Sequence, residues 1–191
     1  MQTSKNCENK TDEELVDLTL KDKDYFACII SRYEEKLLRY IKRITNMSNE
    51  ESEDILQETF IKAYYNLNSF DLDLKFSSWI YRITHNQTIN AHRKNKARPQ
   101  GNSVDIEDHV LENIIQDFDF VEEIDSKYLA KDIKKILDKL DEKYKEILIL
   151  RFFEEKDYKE ISDILKKPMG TVATLINRAK KQFKDEYQKI N

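Results

Sequence analysis

The stretch Asp157-Tyr158-Lys159-Glu160-Ile161-Ser162-Asp163-Ile164-Leu165-Lys166-Lys167-Pro168-Met169-Gly170-Thr171-Val172 decides how this chain is to be read. Asp157 with Glu160 three positions on is a capping box, and it opens a short amphipathic helix whose apolar side is Ile161, Ile164 and Leu165. Pro168 and Gly170 then break the pattern, and Gly170, lacking a Cβ, is expected to permit a tight re-entry into a longer helix. That helix buries Val172, Ile176, Ala179 and Phe183, which leaves Thr171, Ala173, Thr174, Asn177, Arg178, Lys180, Lys181 and Lys184 on its other face. A short helix, a tight turn and a longer basic helix are the layout of a helix-turn-helix DNA reader. Hydroxyl and amide side chains at its start suit base edges, and the cations further along suit phosphates.

Outward from this motif the chain reads as all-α. Its two glycines and two prolines fall in two clusters, Pro99 to Gly101 and Pro168 to Gly170. Charge separates the bodies: residues 1–98 hold 16 basic and 16 acidic side chains, residues 99–126 hold none and 9, and residues 127–191 hold 17 and 12. The formal charge of −4 therefore averages a neutral body, a segment of −9 and a body of +5. We expect two small helical domains, 1–98 and 127–191, joined by an acidic, solvated linker at 99–126, the second containing the helix-turn-helix. Two stretches lack acids altogether: 74–104, with Lys75, Arg82, Arg93, Lys94, Lys96 and Arg98, and 164–184. One basic stretch per body points to a bipartite footprint on nucleic acid.

In the first body Thr11 with Glu14, and Ser48 with Glu51, are two further capping boxes. The first opens a short helix with Leu15 and Leu18 on its apolar side. A second helix follows, striped by Phe26, Ile29, Ile30, Tyr33, Leu37, Leu38, Ile41 and Ile44. The helix opened by Ser48 has Ile55, Leu56, Thr59, Phe60 and Ala63 inside and a strongly acidic outer face. Periodicity fails between Asn66 and Lys75, where Asn68, Ser69, Asp71 and Asp73 supply turn chemistry. Phe76 restarts a helix with Ile80, Ile83, Gln87 and Ala91 inside, leaving Trp79, Arg82, Asn86, Asn90 and Arg93 to project. An aromatic and basic face without acids can stack bases and neutralise phosphates, whereas the plainer reading keeps Trp79 and Tyr81 as core rings. In the second body Ser126 and Asp141 are placed to cap two helices, carrying Leu129, Ile133, Ile136, Leu137 and Leu140, then Tyr144, Ile147, Leu148 and Phe152.

Several function classes recede. The N-terminal residues are polar, and the longest purely apolar run, Tyr25 to Ile30, is far shorter than a membrane span, so neither secretion nor direct membrane insertion is expected. Cys7 and Cys28 stand in no metal-binding spacing and read as reduced bystander thiols in a reducing cytoplasm. His85, His92 and His109 have no metal-ligand spacing, and a glycine-rich phosphate loop needs more glycine than the chain holds, so neither catalysis nor a cofactor is expected. Asp54 and Glu58 share a helical face that could hold a metal, but a solvated or partner-facing acidic surface is the better account. An ordinary helix-turn-helix regulator remains open as an alternative, as does a helical adaptor that binds only protein.

Three segments, Asp54-Ile55-Leu56-Gln57-Glu58-Thr59-Phe60, Phe76-Ser77-Ser78-Trp79-Ile80-Tyr81-Arg82-Ile83 and Gly170-Thr171-Val172-Ala173-Thr174-Leu175-Ile176-Asn177-Arg178-Ala179, together resemble the extracytoplasmic-function sigma factors of bacterial RNA polymerase. The resemblance covers nearly the whole chain and looks like the minimal two-domain subgroup. It implies promoter-specific transcription initiation as an alternative stress or envelope-signal factor, with core polymerase and promoter DNA, both duplex and melted non-template strand, as partners. An anti-sigma factor is a further implied partner.

Residue by residue, the resemblance gives core-polymerase binding to Asp54, Gln57, Glu58 and Phe60. It gives the minus-ten element to Asn66, Asn68, Ser69, Lys75, Phe76, Trp79, Arg82, Asn86 and Arg93, the loop before Lys75 capturing a flipped base. It gives the minus-thirty-five element to Thr171, Ala173, Thr174, Asn177, Arg178, Lys180 and Lys181. Ala173 and Leu175 stand where relatives often carry Arg or Lys, so fewer contacts to guanine and an A·T-rich element are expected. Asn90 replaces an acidic residue common near the minus-ten surface. The acidic linker would thread toward the polymerase cleft as a mimic of nucleic acid.

Overall fold

The computed structural model describes residues 7–45, 47–71, 74–95 and 126–189, with backbone alone for 95 and 126–132. The expected linker, with Pro99 and Gly101, lies outside the described residues. Helices and turns make up the described chain, with no strand among its residues. Two compact units divide it, Met1–Asn102 with Asp163–Leu165, and Ser103–Ser162 with Lys166–Asn191.

The first body has four helices: α1 Asp12–Lys21, α2 Phe26–Ile44, α3 Asn49–Asn66 and α4 Phe76–Asn95. Both expected capping boxes form, Thr11 with Glu14 and Ser48 with Glu51, each satisfying two amides that a helix start leaves unbonded. α2 packs against α3 and α4, and α1 lies on α2. The stripe along α2 is buried at Phe26, Ile29, Tyr33, Leu37, Tyr40, Ile41 and Ile44, while Ile30 and Leu38 are half-buried at its margin. Tyr40 enters the core as well, its ring 5.2 Å from that of Tyr81 and its hydroxyl 3.0 Å from His85 Nδ1.

One expectation fails outright. Cys7 and Cys28 are joined in a disulfide, with Cα atoms 5.8 Å apart. A separation of 21 positions conceals this in the sequence, because the segment before α1 folds back along α2.

The remaining α-helices of the described chain are α5 Ser126–Lys139, α6 Glu142–Leu148, α7 Tyr158–Leu165 and α8 Met169–Gln188, all but Asp163–Leu165 in the second unit. α8 packs on α5 and α6. Asp141 stands at the N-cap of α6 as expected, although its side chain makes no capping bond and its carbonyl receives the Tyr144 and Lys145 amides instead. After Leu148 the helix widens into a π-turn over Ile149–Phe153, closed by the Glu154 amide on the Ile149 carbonyl at 3.0 Å. The wider turn lets Ile147, Leu148, Ile149, Leu150, Phe152 and Phe153 all be buried, where an ordinary α-helix would turn some of them outward.

Candidate nucleic-acid interface

The expected capping box of α7 is present: Asp157 Oδ1 accepts from the Glu160 amide at 2.8 Å, and Glu160 Oε2 accepts from the Asp157 amide at 3.1 Å. At the far end the chain reverses through Lys166, whose φ of 52° and ψ of 45° are left-handed. Ser162 fastens this turn, its carbonyl taking the Lys166 and Lys167 amides and its hydroxyl donating to the Lys167 carbonyl at 2.6 Å. Pro168 caps α8 with its carbonyl, which accepts the Thr171 and Val172 amides. Gly170 was expected to make the re-entry possible. It lies inside α8 in ordinary helical conformation, and nothing stands within 4 Å of the Cβ it lacks. The strained position is Lys166, which the sequence hides because the residue there is not glycine.

α8 buries Val172, Ile176, Ala179, Phe183 and Tyr187. On the opposite side Thr171, Thr174, Asn177, Arg178 and Lys181 are exposed, with Ala173 and Lys180 half-buried beside them. Their spacing puts all seven on the outward half of one helix. Thr174 donates its hydroxyl hydrogen to the Gly170 carbonyl at 2.8 Å, so toward an outside partner it offers an acceptor oxygen and a methyl group. A small-residue start followed by Arg178 and Lys181 matches a groove rim of bases and then phosphates.

In the first body the loop after α3 begins with a short 3₁₀ turn, Leu67–Ser69. Leu67 and Phe70 are buried and anchor it, while Asn66, Asn68, Ser69 and Lys75 are exposed. Asn66 Nδ2 donates to the Lys62 carbonyl at 2.7 Å and Ser69 Oγ to the Asn66 carbonyl at 2.8 Å, so both side chains also shape the loop from within.

Phe76 and Trp79, which the resemblance gives to the minus-ten element, are 0% and 5% exposed: Phe76 lies on the inner side with Ile80, as its spacing predicts, and Trp79 is a core ring instead of projecting. Phe70, Phe76 and Trp79 form a ring cluster with centroids 5.4 to 5.5 Å apart. The cause is the loop: it carries Phe70 back over the first turn of α4, where positions 76 and 79 share a face. Thr84 and Thr88 are also buried, their hydroxyls donating to the Ile80 and Thr84 carbonyls, so the inner arc of α4 is wider than its apolar residues indicate. Asn86, Asn90 and Arg93 remain exposed along one side, with Arg82 half-buried among them.

The outer face of α3 carries Asp54, Gln57 and Glu58, all exposed, together with Glu50 and Glu53. Phe60, which the resemblance also gives to polymerase binding, lies on the inner side its spacing predicts: it is 8% exposed and packs edge-on against Phe26, with centroids 6.4 Å apart. Glu58 accepts from Gln87 Nε2 of α4 at 2.9 Å, and Lys62 donates to the Gln87 oxygen. A groove of about 340 Å³ lies between these helices, with Asp54, Glu58 and Lys62 on one wall and Asn90 and Lys94 on the other. Ile61 and Tyr65, 56% and 78% exposed, continue the outer face beyond Gln57. The sequence contained that signal, since both lie off the inner positions 55, 56, 59, 60 and 63. Among the described residues no group of three His, Cys, Asp or Glu side chains could hold a metal ion, and no helix is long and apolar enough to cross a membrane.

Two family models match in the order of the two bodies: Sigma-70 region 2 over residues 29–98 and Sigma-70, region 4 over residues 130–183. The chain is 34% identical to the ECF RNA polymerase sigma factor SigW of Bacillus subtilis, over 88% of this chain and 92% of that one. The chain belongs to the ECF sigma factors.

It is also 31% identical to the ECF RNA polymerase sigma-E factor of Haemophilus influenzae, over 96% of this chain and 99% of that one. Its fold is similar to the sigma factor RpoE in a complex with the anti-sigma factor NepR from Bartonella quintana, with a TM-score of 0.62 at 19% identity, over 85% and 96% of the two chains. The function of this chain is accordingly that of an alternative sigma factor, and sigma factors regulate RNA polymerase without being catalysts themselves. The region 2 match spans α2 to α4, and the region 4 match spans α5 to α8 up to Phe183.

Proposed function

We propose that this sigma factor binds core RNA polymerase through the outer face of α3, opens and reads the minus-ten element with the Asn66–Lys75 loop and the exposed side of α4, and reads the minus-thirty-five element with α8. Residues 1–98 form the first working domain and 127–191 the second, with 99–126 as the acidic connection. The outward face of α8 carries this reading: hydroxyl and amide groups at its start, cations beyond, and no carboxylate before Asp185.

For polymerase the docking residues are Asp54, Gln57 and Glu58, whose charge suits a basic partner, with Phe60 supporting them from the core. For the minus-ten element the surface is Asn66, Asn68, Ser69, Lys75, Arg82, Asn86 and Arg93. Phe76 and Trp79 hold that surface in place from beneath. For the minus-thirty-five element Thr171, Thr174 and Asn177 meet base edges, and Arg178, Lys180 and Lys181 meet phosphates, with Ala173 offering a methyl contact. Such a protein works in the cytoplasm, where polymerase and promoter are, and an anti-sigma factor covering these faces would silence it.

Run-off transcription with purified core polymerase on fragmented genomic DNA tests the reading. The protein alone should support initiation at a defined set of promoters. Binding of duplex DNA without any association with core polymerase would instead make it an ordinary helix-turn-helix regulator.

A further inference from the structure

The Cys7–Cys28 bond sits at the head of a chain of contacts that ends at the minus-ten loop. Cys28 lies on α2 and is 5% exposed, whereas Cys7 lies before α1 and is half-buried. One turn along α2, Arg32 donates to the Cys7 carbonyl at 3.1 Å and to the Lys10 carbonyl at 2.9 Å, and it pairs with Asp12 at 2.5 Å. The Tyr33 hydroxyl donates to the other Asp12 oxygen. The next residue, Glu13, accepts the Phe76 amide at 3.1 Å across 63 positions of sequence. Phe76 is the first residue of α4, so Glu13 places a carboxylate on the positive end of that helix, directly after the Asn66–Lys75 loop.

A cytoplasmic protein is not expected to keep a permanent disulfide, and those found there are mostly transient or redox-sensing. The first body already buries a core of its own, so the bond is not its main source of stability. We propose that Cys7 and Cys28 form a redox-modification site, whose disulfide is made and broken by exchange with small-molecule thiols and sets how firmly α1 holds the start of α4. The consequence for initiation rests on the assignment of the neighbouring loop to the minus-ten element. The more exposed Cys7 is the sulfur that reagents reach.

In oxidation the Cys7 thiolate attacks one sulfur of a small-molecule disulfide and releases one thiol. The Cys28 thiolate then attacks the Cys7 sulfur of the mixed disulfide and releases the second. The two protein thiols lose two electrons and two protons, and the small disulfide gains both as two thiols. Reduction reverses these steps. Reduced, the N-terminal segment keeps its Arg32 contacts but loses its covalent closure, and the α1 carboxylate spends less time on the Phe76 amide.

The full-length protein, equilibrated in reduced or oxidised glutathione and mass-tagged with a maleimide, should convert between two free thiols and none. Reduction should lower the unfolding temperature of the first body by on the order of 10 °C. It should speed hydrogen exchange of the Phe76 amide by roughly tenfold and leave the amides of α8 unchanged. The rate of promoter opening with core polymerase should fall by about threefold or more, as the competent arrangement becomes less populated. Cys7→Ser should behave as the reduced form in either buffer. Glu13→Gln should keep the redox difference in unfolding temperature and lose the difference in promoter opening.

A bond that survives millimolar reduced glutathione, thiols that stay free in oxidised glutathione, or equal Phe76 exchange in both forms would each overturn the proposal. Equal opening rates with unequal exchange would overturn its link to initiation. If neither form initiates transcription with core polymerase, the sigma-factor assignment fails, while the tagging and exchange results still decide the switch.

Discussion

Replacing Trp79 by alanine should unfold the first body rather than blunt its grip on DNA. The indole is 5% exposed, and its ring lies 5.4 Å from Phe70 and 5.5 Å from Phe76. Truncating a buried aromatic to alanine costs about 3–5 kcal/mol, from lost transfer energy and the cavity left behind. A small domain is stable by only ~5–15 kcal/mol, so about a fifth or more of its stability would go. At about 4–8 °C per kcal/mol for a body of this size, the melting temperature should drop by roughly 12–40 °C. Trp79→Phe keeps a ring in the cluster and should recover most of that loss. Thermal unfolding followed by circular dichroism measures both variants. Because Trp79 is the chain's single tryptophan, emission from the unaltered protein reports on this cluster alone. It should be blue-shifted, shielded from iodide and unquenched by a single-stranded minus-ten oligonucleotide. A Trp79→Ala protein that melts at the original temperature but fails to open promoters, or strong quenching by the oligonucleotide, would refute the core assignment and return Trp79 to the DNA surface.

Gly170→Ala should raise the stability of the second body by up to about 1 kcal/mol, since the position is helical and open, and urea denaturation would register the gain. Lys166→Gly should also stabilise it, by roughly 0.5–1 kcal/mol, by relieving the left-handed backbone there. Arg178→Ala and Lys181→Ala should each weaken promoter binding on all sequences and lower the salt slope by about one, whereas Asn177→Ala should relax preference at one base pair by ~1–3 kcal/mol in a binding-site selection. Burial, reinforced by the hydrogen bond to Asp12, raises the Tyr33 pKa above its ordinary value of 10.0. Folding thus favours the protonated phenol: the stability it lends is complete below that value and is lost as the pH climbs through the window above it. Tyr33→Phe should therefore flatten the decline in stability on the alkaline side of 10.0, as measured by denaturant titration across pH.

Local patterns were legible because they depend on residues three or four apart. All three capping boxes, the stripe along α2, the inner side of α3 at Ile55, Leu56, Thr59, Phe60 and Ala63, and the two faces of α8 follow from helical spacing and short-range hydrogen bonding. The same spacing exposed the basic outward face of α8 and the acidic outward face of α3, so the chemistry of those surfaces was available before any fold.

What spacing could not supply was the path of the chain between elements. Whether Trp79 faces strand or core depends on where the loop carries Phe70. Whether two cysteines 21 residues apart ever meet depends on the segment before α1 doubling back, and the left-handed turn falls on Lys166 rather than Gly170 because Ser162 and Pro168 fix the exit and entry of their helices. The sequence by itself determined helices, their faces and the charge on each. Only tertiary structure decided which aromatic rings are buried and which distant side chains touch, because those depend on contacts between segments far apart in the chain, where no local periodicity records the partner.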